Sequence, residues 1–192
     1  MRARTTRTPI ALLAAAVLLA PLAAAAEGPA RPGGGEVILQ LEGFGALLND
    51  GVGGSNLTVS AGYGGRAGWR RDGFGVFGEV TCDRWLATEI GQGFEPGVVD
   101  FGIGAEMLFA KGRVRVSLAG GGSTLLFDAA FHDRGTTGLF VDFRPLSLRY
   151  PIWPGLTLEV SPIGVALLSP ALGEPHIRRI EYRSAISLEV AL

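Results

Sequence analysis

The sequence predicts an all-β fold, an eight-stranded antiparallel up-and-down β-barrel. Two observations lead to this prediction. Eight segments alternate apolar and polar residues with the period of two that strands require, and the connections between these segments alternate between short and long. The last segment, residues 180–192, shows the pattern clearly: Leu188 and Val190 lie on one face, and Arg183 and Glu189 lie on the other.

The seven preceding segments repeat this pattern in chain order. Each has apolar residues at alternate positions with polar, charged or small residues between them, so each is predicted to be a strand with one polar face. The apolar rows are, in order, Val37, Leu39 and Leu41; Leu57, Val59, Ala61 and Tyr63; Phe74, Val76 and Val80; Val99, Phe101 and Ile103; Val114, Val116 and Leu118; Leu139, Val141 and Phe143; and Leu156, Leu158 and Val160.

The connections between these segments follow the order expected of a chain that crosses a membrane up and down. Short turns follow the second, fourth and sixth segments, at residues 71–73, 111–112 and 151–155. Longer loops follow the first, third, fifth and seventh segments, at residues 48–55, 86–97, 128–137 and 169–176. In outer-membrane barrels the short turns are periplasmic and the long loops are extracellular.

The charged face is predicted to point into the barrel, because the Leu, Val and Phe face is too bulky for so small a lumen. The interior of an eight-stranded barrel is only just wide enough to be filled by side chains. Buried charges are stable there only when they pair, and arginine binds carboxylates through two parallel hydrogen bonds. We therefore predict a transmembrane barrel with a polar, side-chain-filled lumen, closed by an ionic network of Glu42, Arg66, Glu79, Glu106, Arg115, Arg144, Glu159, Arg183 and Glu189. A soluble barrel with these charges in water is the alternative.

Aromatic residues cluster near the predicted ends of the strands, where a membrane barrel carries interfacial girdles. Five of them, Trp69, Phe74, Phe109, Tyr150 and Trp153, fall beside the short turns. Trp85 and Tyr182 fall nearer the long loops. We predict that all seven lie at the two membrane interfaces; the alternative is that they are ordinary core aromatics.

The first 26 residues are predicted to be a cleaved signal peptide. Three arginines precede a short apolar run, which Pro21 interrupts and four alanines close. A membrane anchor is the alternative, but such a helix needs about 20 apolar residues. Residues 27–35 are rich in glycine and proline and are predicted to be a flexible lead-in, so the barrel is predicted to span residues 36–192.

Composition excludes several classes of function. The net charge is -1, and Lys111 is the only lysine, so nucleic acid is not an expected partner. Cys82 is the only cysteine, which excludes an internal disulfide and a metal site built from several cysteines. No cofactor and no metal are implied.

Taken together, the signal peptide, the eight alternating strands, the alternating connections and the charged lumen resemble the small outer-membrane barrels of the OmpA and OmpX type. The resemblance covers residues 36–192, although such proteins commonly end in Phe or Trp and this sequence ends in Leu192. It implies a monomer in the outer membrane, with outer-membrane lipids and the barrel assembly machinery as partners. The implied role is structural or in surface recognition, with the loops as the place for an extracellular ligand, and it is not that of a wide pore.

Two other functions remain open from the sequence. One is an enzyme that modifies lipid A by acyl transfer or hydrolysis, which needs a serine nucleophile and a histidine base on the lipid-facing surface. Its candidate residues are His132, His176, Ser123, Ser169, Asp128 and Asp133, and the H-x-S arrangement of the deacylases is absent. The other is a narrow channel or a carrier of a small ligand. Our prediction is that the protein is not an enzyme.

Overall fold

The structure is a computed structural model that describes residues 34–50, 57–85, 97–126, 137–171 and 177–192. The predicted signal peptide and residues 27–33 of the predicted lead-in lie outside the described residues. Residues 34 and 35 have no regular secondary structure and lead into the first strand. No helix in the described part of the chain is long and apolar enough to cross a membrane.

Eight antiparallel strands form one closed barrel, which confirms the predicted fold. Each strand pairs with the next along the chain, and the last strand pairs with the first, so no edge is left unpaired. The strands are β1 (Glu36–Asp50), β2 (Leu57–Arg71), β3 (Phe74–Trp85), β4 (Gly97–Phe109), β5 (Val114–Leu126), β6 (Thr137–Trp153), β7 (Leu156–Ala171) and β8 (Ile177–Ala191).

The three short turns lie where they were predicted, with shifted boundaries. The turn between β2 and β3 contains Asp72 and Gly73, both with positive φ, a conformation for which the Asp-Gly pair is strongly preferred. The turn between β4 and β5 covers residues 110–113 instead of 111–112. The turn between β6 and β7 is limited to residues 154–155, because β6 continues to Trp153.

The strands also extend further into the predicted loops than the side-chain pattern indicated. β1 continues to Asp50 and β7 to Ala171, whereas their loops were predicted to begin at residues 48 and 169. Ladder hydrogen bonds join backbone groups, so strand pairing can continue where the apolar alternation has ended. Residues 51–56, 86–96, 127–136 and 172–176, which make up the rest of the predicted loops, lie outside the described residues.

The apolar face of the sheet is outside and the charged face is inside. Ile103 on β4 is 78% exposed, whereas Glu106 on the same strand is 1% exposed and Arg115 on β5 is fully buried. This sidedness is the reverse of a soluble barrel and matches a barrel whose outer surface contacts lipid.

Bulges interrupt the pairing of β6 with β7. The register shifts between Phe143 and Leu148 on β6, and the pairing of β7 with β8 shifts between Ser161 and Gly164. Pro145 lies within the first of these stretches, and proline cannot donate a ladder hydrogen bond. The bulge reverses the alternation along β6, so Arg149, an odd number of residues after Arg144, faces the lumen as well.

The lumen also contains aromatic side chains that the sequence analysis did not place there. Phe44 on β1 packs over Gly62 of β2, and a Cβ at Gly62 would lie 2.2 Å from the Phe44 ring. Phe77 on β3 packs over Gly104 of β4 in the same way, and Phe140 joins Phe77 in a buried apolar cluster. Glycines on neighbouring strands therefore make the space that these inward rings occupy.

Candidate functional site

The structure places all nine residues of the predicted ionic network inside the barrel, and none of them is more than 6% exposed. They form two layers. The turn-side layer contains Glu106, Arg115, Glu159 and Glu189, together with Arg70 and Arg149. The loop-side layer contains Glu42, Arg66, Glu79, Arg144 and Arg183, together with Asp83, Asp100, Asp142 and Glu181.

Arg115 lies at the centre of the turn-side layer. Its Nη1 donates to the side-chain oxygen of Gln40 at 2.9 Å and to Glu106 at 3.1 Å, and its Nη2 donates to Glu159. Because Arg115 is completely buried, these hydrogen bonds replace the water that its guanidinium would otherwise bind. The side chain therefore links β1, β4 and β7 through the interior.

Arg70 and Arg149 complete the turn-side layer. Arg70 donates to both oxygens of Glu189, at 2.9 and 2.8 Å, and its Nε donates to Glu106 at 2.7 Å. Arg149 donates to Glu189 from Nη2 and to the carbonyl oxygen of Gly112 at 2.8 Å from Nη1. Each carboxylate of this layer thus has at least one guanidinium partner.

The loop-side layer is organised around Arg144. Its Nη1 and Nη2 donate to the two oxygens of Glu42, at 2.5 and 2.8 Å, in the bidentate geometry that favours arginine. Its Nε also donates to Asp142 at 3.0 Å. Arg66 pairs with Glu79 at 2.9 Å on the neighbouring strand.

Among the buried arginines of the described residues, Arg183 lies nearest the loop-side end of the lumen. Its Nε donates to Glu181 at 2.8 Å and its Nη2 donates to Asp100 at 3.3 Å. Its guanidinium carbon lies 4.8 Å from the centre of the Phe44 ring, and that of Arg66 lies 4.5 Å from the centre of the Phe77 ring. The inward rings therefore stack on the guanidiniums as well as fill space.

Within the described part of the chain, six further charged residues are buried that were not predicted as members of the network: Arg70, Asp83, Asp100, Asp142, Arg149 and Glu181. Five of them lie an even number of residues from a predicted inward residue of the same strand. The period of two therefore already indicated that they face the lumen. Arg149 is the exception, because the bulge at Pro145 shifts its phase and no local pattern reveals that shift.

The predicted interfacial aromatics face outward where their side chains are described. Trp69, Phe74, Phe109 and Tyr150 are 43–51% exposed, Tyr182 is 53% exposed and Trp153 is 70% exposed. The Trp85 side chain lies outside the described residues. These outward positions do not fit ordinary core aromatics, and their assignment to the two membrane interfaces stays a prediction.

The structure describes only two of the six candidate residues of a lipid-modifying enzyme, Ser123 and Ser169. Ser123 is completely buried in the lumen, where its hydroxyl hydrogen-bonds to Asp100 at 2.6 Å. It is therefore not presented to lipid, which that chemistry would require. Ser169 is half-buried near the end of β7, and His132, His176, Asp128 and Asp133 lie outside the described residues.

Comparisons with known proteins establish the fold. No protein-family model matches the sequence, and no curated protein matches it. Among solved structures, the chain is similar to Neisserial surface protein A (NspA), with a TM-score of 0.54 over 82% of this chain and 98% of that chain, at 16% sequence identity. It is also similar to Ail, the attachment invasion locus protein of Yersinia pestis, with a TM-score of 0.50 over 81% and 98% of the two chains, at 11% identity. The chain has the fold of the small eight-stranded outer-membrane barrels, which confirms the resemblance noted from its sequence.

Proposed function

We propose that this chain is a small outer-membrane barrel protein with a structural or surface-recognition role, and that ion pairs close its lumen. The observation that carries the proposal is a pair of bridges across the barrel. Arg115 on β5 donates to Gln40 on β1, and Arg183 on β8 pairs with Asp100 on β4. In each bridge the two strands lie four positions apart in a ring of eight, so each bridge crosses the barrel axis.

The bridges lie at two different heights, one in each layer of the network. An interior that side chains can only just fill has no room for a wide channel once two levels are bridged. Opening it would separate buried charges from their partners, which costs several kcal/mol for each charge. A closed lumen leaves the outer surface and the loops as the places where the protein can act on other molecules.

The apolar outer surface supports a proposal for where the protein is located and which partners it has. Its apolar rows need lipid around them, and the predicted signal peptide would direct the chain out of the cytoplasm. We therefore propose outer-membrane lipids and the barrel assembly machinery as partners, a monomeric state, and an extracellular ligand at the loops. The names of the two similar barrels, a surface protein and an attachment invasion locus protein, support a role at the cell surface.

Conductance in planar bilayers tests the closed lumen. The refolded wild-type protein is expected to give no stable open channel, and heat-dependent migration in SDS gels verifies that it is folded. Replacing both Arg115 and Arg183 by alanine removes the two bridges and should produce a measurable current. The control replaces Arg71 and Arg113, which are exposed near the short turns, and should remain closed. A stable open pore in the wild type would refute the proposal.

We propose that the protein catalyses no reaction, and Ser123 supports this because its hydroxyl is bound inside the lumen. Lipid analysis of cells with and without the protein tests it. The acyl pattern of lipid A should be the same in both, and a missing or transferred acyl chain would favour the enzyme instead.

A further inference from the structure

A groove crosses the outward face of the barrel from β1 to β4. Along one row of the sheet, the small residues Ala67 on β2 and Gly78 on β3 lie opposite each other. The larger residues Leu39 on β1 and Ile103 on β4 flank them on either side. The small pair forms the floor of the groove and the large pair forms its walls, around a cavity of about 880 Å³. Pockets of roughly 300–1,000 Å³ are large enough to bury most of a small molecule.

The groove is open and apolar. A Cβ added at Gly78 would meet the carbonyl oxygens of Gly102 and Ala67, at 3.8 and 4.0 Å, and no described side chain from another part of the chain lies as close. The rest of the lining includes the apolar side chains of Leu41, Val80, Phe101 and Leu188. The polar residues that border the groove have their side chains buried in the lumen: Gln40, Arg66 and Glu79. A hydrocarbon chain fits such a surface better than a polar ligand does, because burying polar groups without hydrogen bonds is costly.

The groove continues towards the loop-side end of the barrel and is closed towards the short turns. On β1 the next outward residues on the loop side are Gly43 and Gly45. A Cβ added at Gly43 would have its nearest neighbour at 4.0 Å, and one added at Gly45 would have none within 4 Å. On the turn side, the next outward residues beyond the floor are Trp69 and Val76, which are bulky and project from the surface. A chain that lies in the groove can therefore extend to the loop-side end.

Two residues at the loop-side end of the groove complement a phosphate group. Arg84 on β3 is exposed and faces outward, four residues beyond Val80 of the groove lining. Four residues of a strand span roughly 13 Å. Tyr63 on β2 lies opposite Cys82 in the row between them, close enough to Arg84 for an electrostatic interaction. The hydrocarbon core of a bilayer is about 30 Å thick, so one leaflet spans about 15 Å and an acyl chain can cover the distance from Arg84 to the groove.

We propose that the groove binds one acyl chain of a lipid A molecule in the loop-side leaflet, and that Arg84 and the Tyr63 hydroxyl bind a phosphate of the same molecule. Lipid A is a phosphorylated glycolipid with several acyl chains, so it offers both groups at once. Arginine is suited to phosphate because its guanidinium donates two parallel hydrogen bonds. The inference rests on the proposed function, because the loop-side leaflet contains lipid A when the loops are extracellular. It adds a defined site, in which one lipid is held more tightly than the lipids around the rest of the barrel.

Native mass spectrometry of the folded protein in detergent micelles, with purified lipid A added, tests the site. The wild type should retain one lipid A per chain. The double variant Ala67→Leu with Gly78→Leu fills the floor and should weaken binding at least about tenfold, since losing the contacts of two buried methylene groups already has this effect. The matched control is Ala105→Leu, which adds the same side chain at an exposed alanine outside the groove and should bind as the wild type does.

The phosphate contact is tested with lipid A from which the phosphates have been removed. The wild type should bind this lipid at least about tenfold more weakly, because the hydrogen bonds to the guanidinium of Arg84 cannot form. Arg84→Gln should lose most of this preference and bind the two lipids with similar affinity.

Several outcomes overturn the proposal: no retained lipid A on the wild type, equal binding by the wild type and the filled variant, an equal loss in Ala105→Leu, equal binding of the dephosphorylated lipid by the wild type, or a second copy of the chain in place of the lipid. Heat-dependent migration in SDS gels shows whether each variant is folded, and if the double variant fails to fold, Ala67→Leu alone decides the result. Conductance tests the closed lumen separately, so a failure of the proposed function and a failure of the lipid site are distinguishable.

Discussion

Replacing Arg115 by methionine is the sharpest test of how the lumen is stabilised. The change keeps a long side chain but removes the positive charge that contacts Gln40, Glu106 and Glu159 together. Arg115 is completely buried, so water cannot replace the lost hydrogen bonds. The expected loss of stability is therefore that of breaking a buried ion pair.

The size of this stability loss depends on which hydrogen bonds and ion pairs Glu106 and Glu159 keep after the substitution. Glu106 keeps its hydrogen bond from Arg70 at 2.7 Å. Among the described residues, Glu159 keeps the hydroxyl of Ser161 at 3.3 Å and the more distant Nε of Arg149 at 3.7 Å. Removing one partner of a buried pair costs about 3–5 kcal/mol, and because one carboxylate remains paired we expect about 3 kcal/mol.

Urea unfolding of the barrel in lipid vesicles, followed by tryptophan fluorescence, measures this loss. The double variant Arg115→Met with Glu159→Gln removes the carboxylate that the single variant leaves unpaired. It should regain part of the stability, with a coupling energy of about 1–3 kcal/mol. Lys111→Met is the control for the loss of a positive charge at an exposed position, and should change stability by less than about 0.5 kcal/mol.

Two results would contradict this reasoning. One is a loss below about 1 kcal/mol in Arg115→Met, the range of an exposed pair, which would mean that water reaches the guanidinium. The other is a double variant that is no more stable than the single one. In that case Glu159 would not depend on Arg115 for its compensation.

Two further predictions concern the packing of the barrel. Gly104→Ala places a Cβ 2.4 Å from the Phe77 ring and should lower the free energy of unfolding by about 1–3 kcal/mol. At Gly45 no atom lies within 4 Å of the added Cβ, so Gly45→Ala should stay within about 0.5 kcal/mol, and equal losses would argue against the packing of Phe77. Ile103→Arg places a charge on the middle of the outward face and should cost about 2–4 kcal/mol in lipid vesicles, whereas Ile103→Leu should be nearly neutral. An arginine without cost would show that lipid does not cover this face.

Several features of the barrel follow from local sequence patterns. The side of the sheet on which Glu106 lies, opposite Ile103, is fixed by the period of two, because successive residues of a strand point to opposite faces. The Asp72–Gly73 turn is likewise local, since positive φ at both positions favours this pair. Such local patterns predicted the eight strands, their order along the chain and the nine charged residues named as facing the lumen.

The partners of the inward charges required the tertiary structure. Glu42 and Arg144 lie 102 residues apart in sequence, and their bidentate contact depends on the stagger of β1 against β6 around the closed ring. Arg149 faces the lumen only because of a bulge that no alternation predicts, and the packing of the Phe77 ring over Gly104 joins two different strands. The sequence by itself determined the strands and their two faces, because these depend on neighbouring residues. Only the folded barrel decided which charges pair, because those contacts join strands that are distant along the chain.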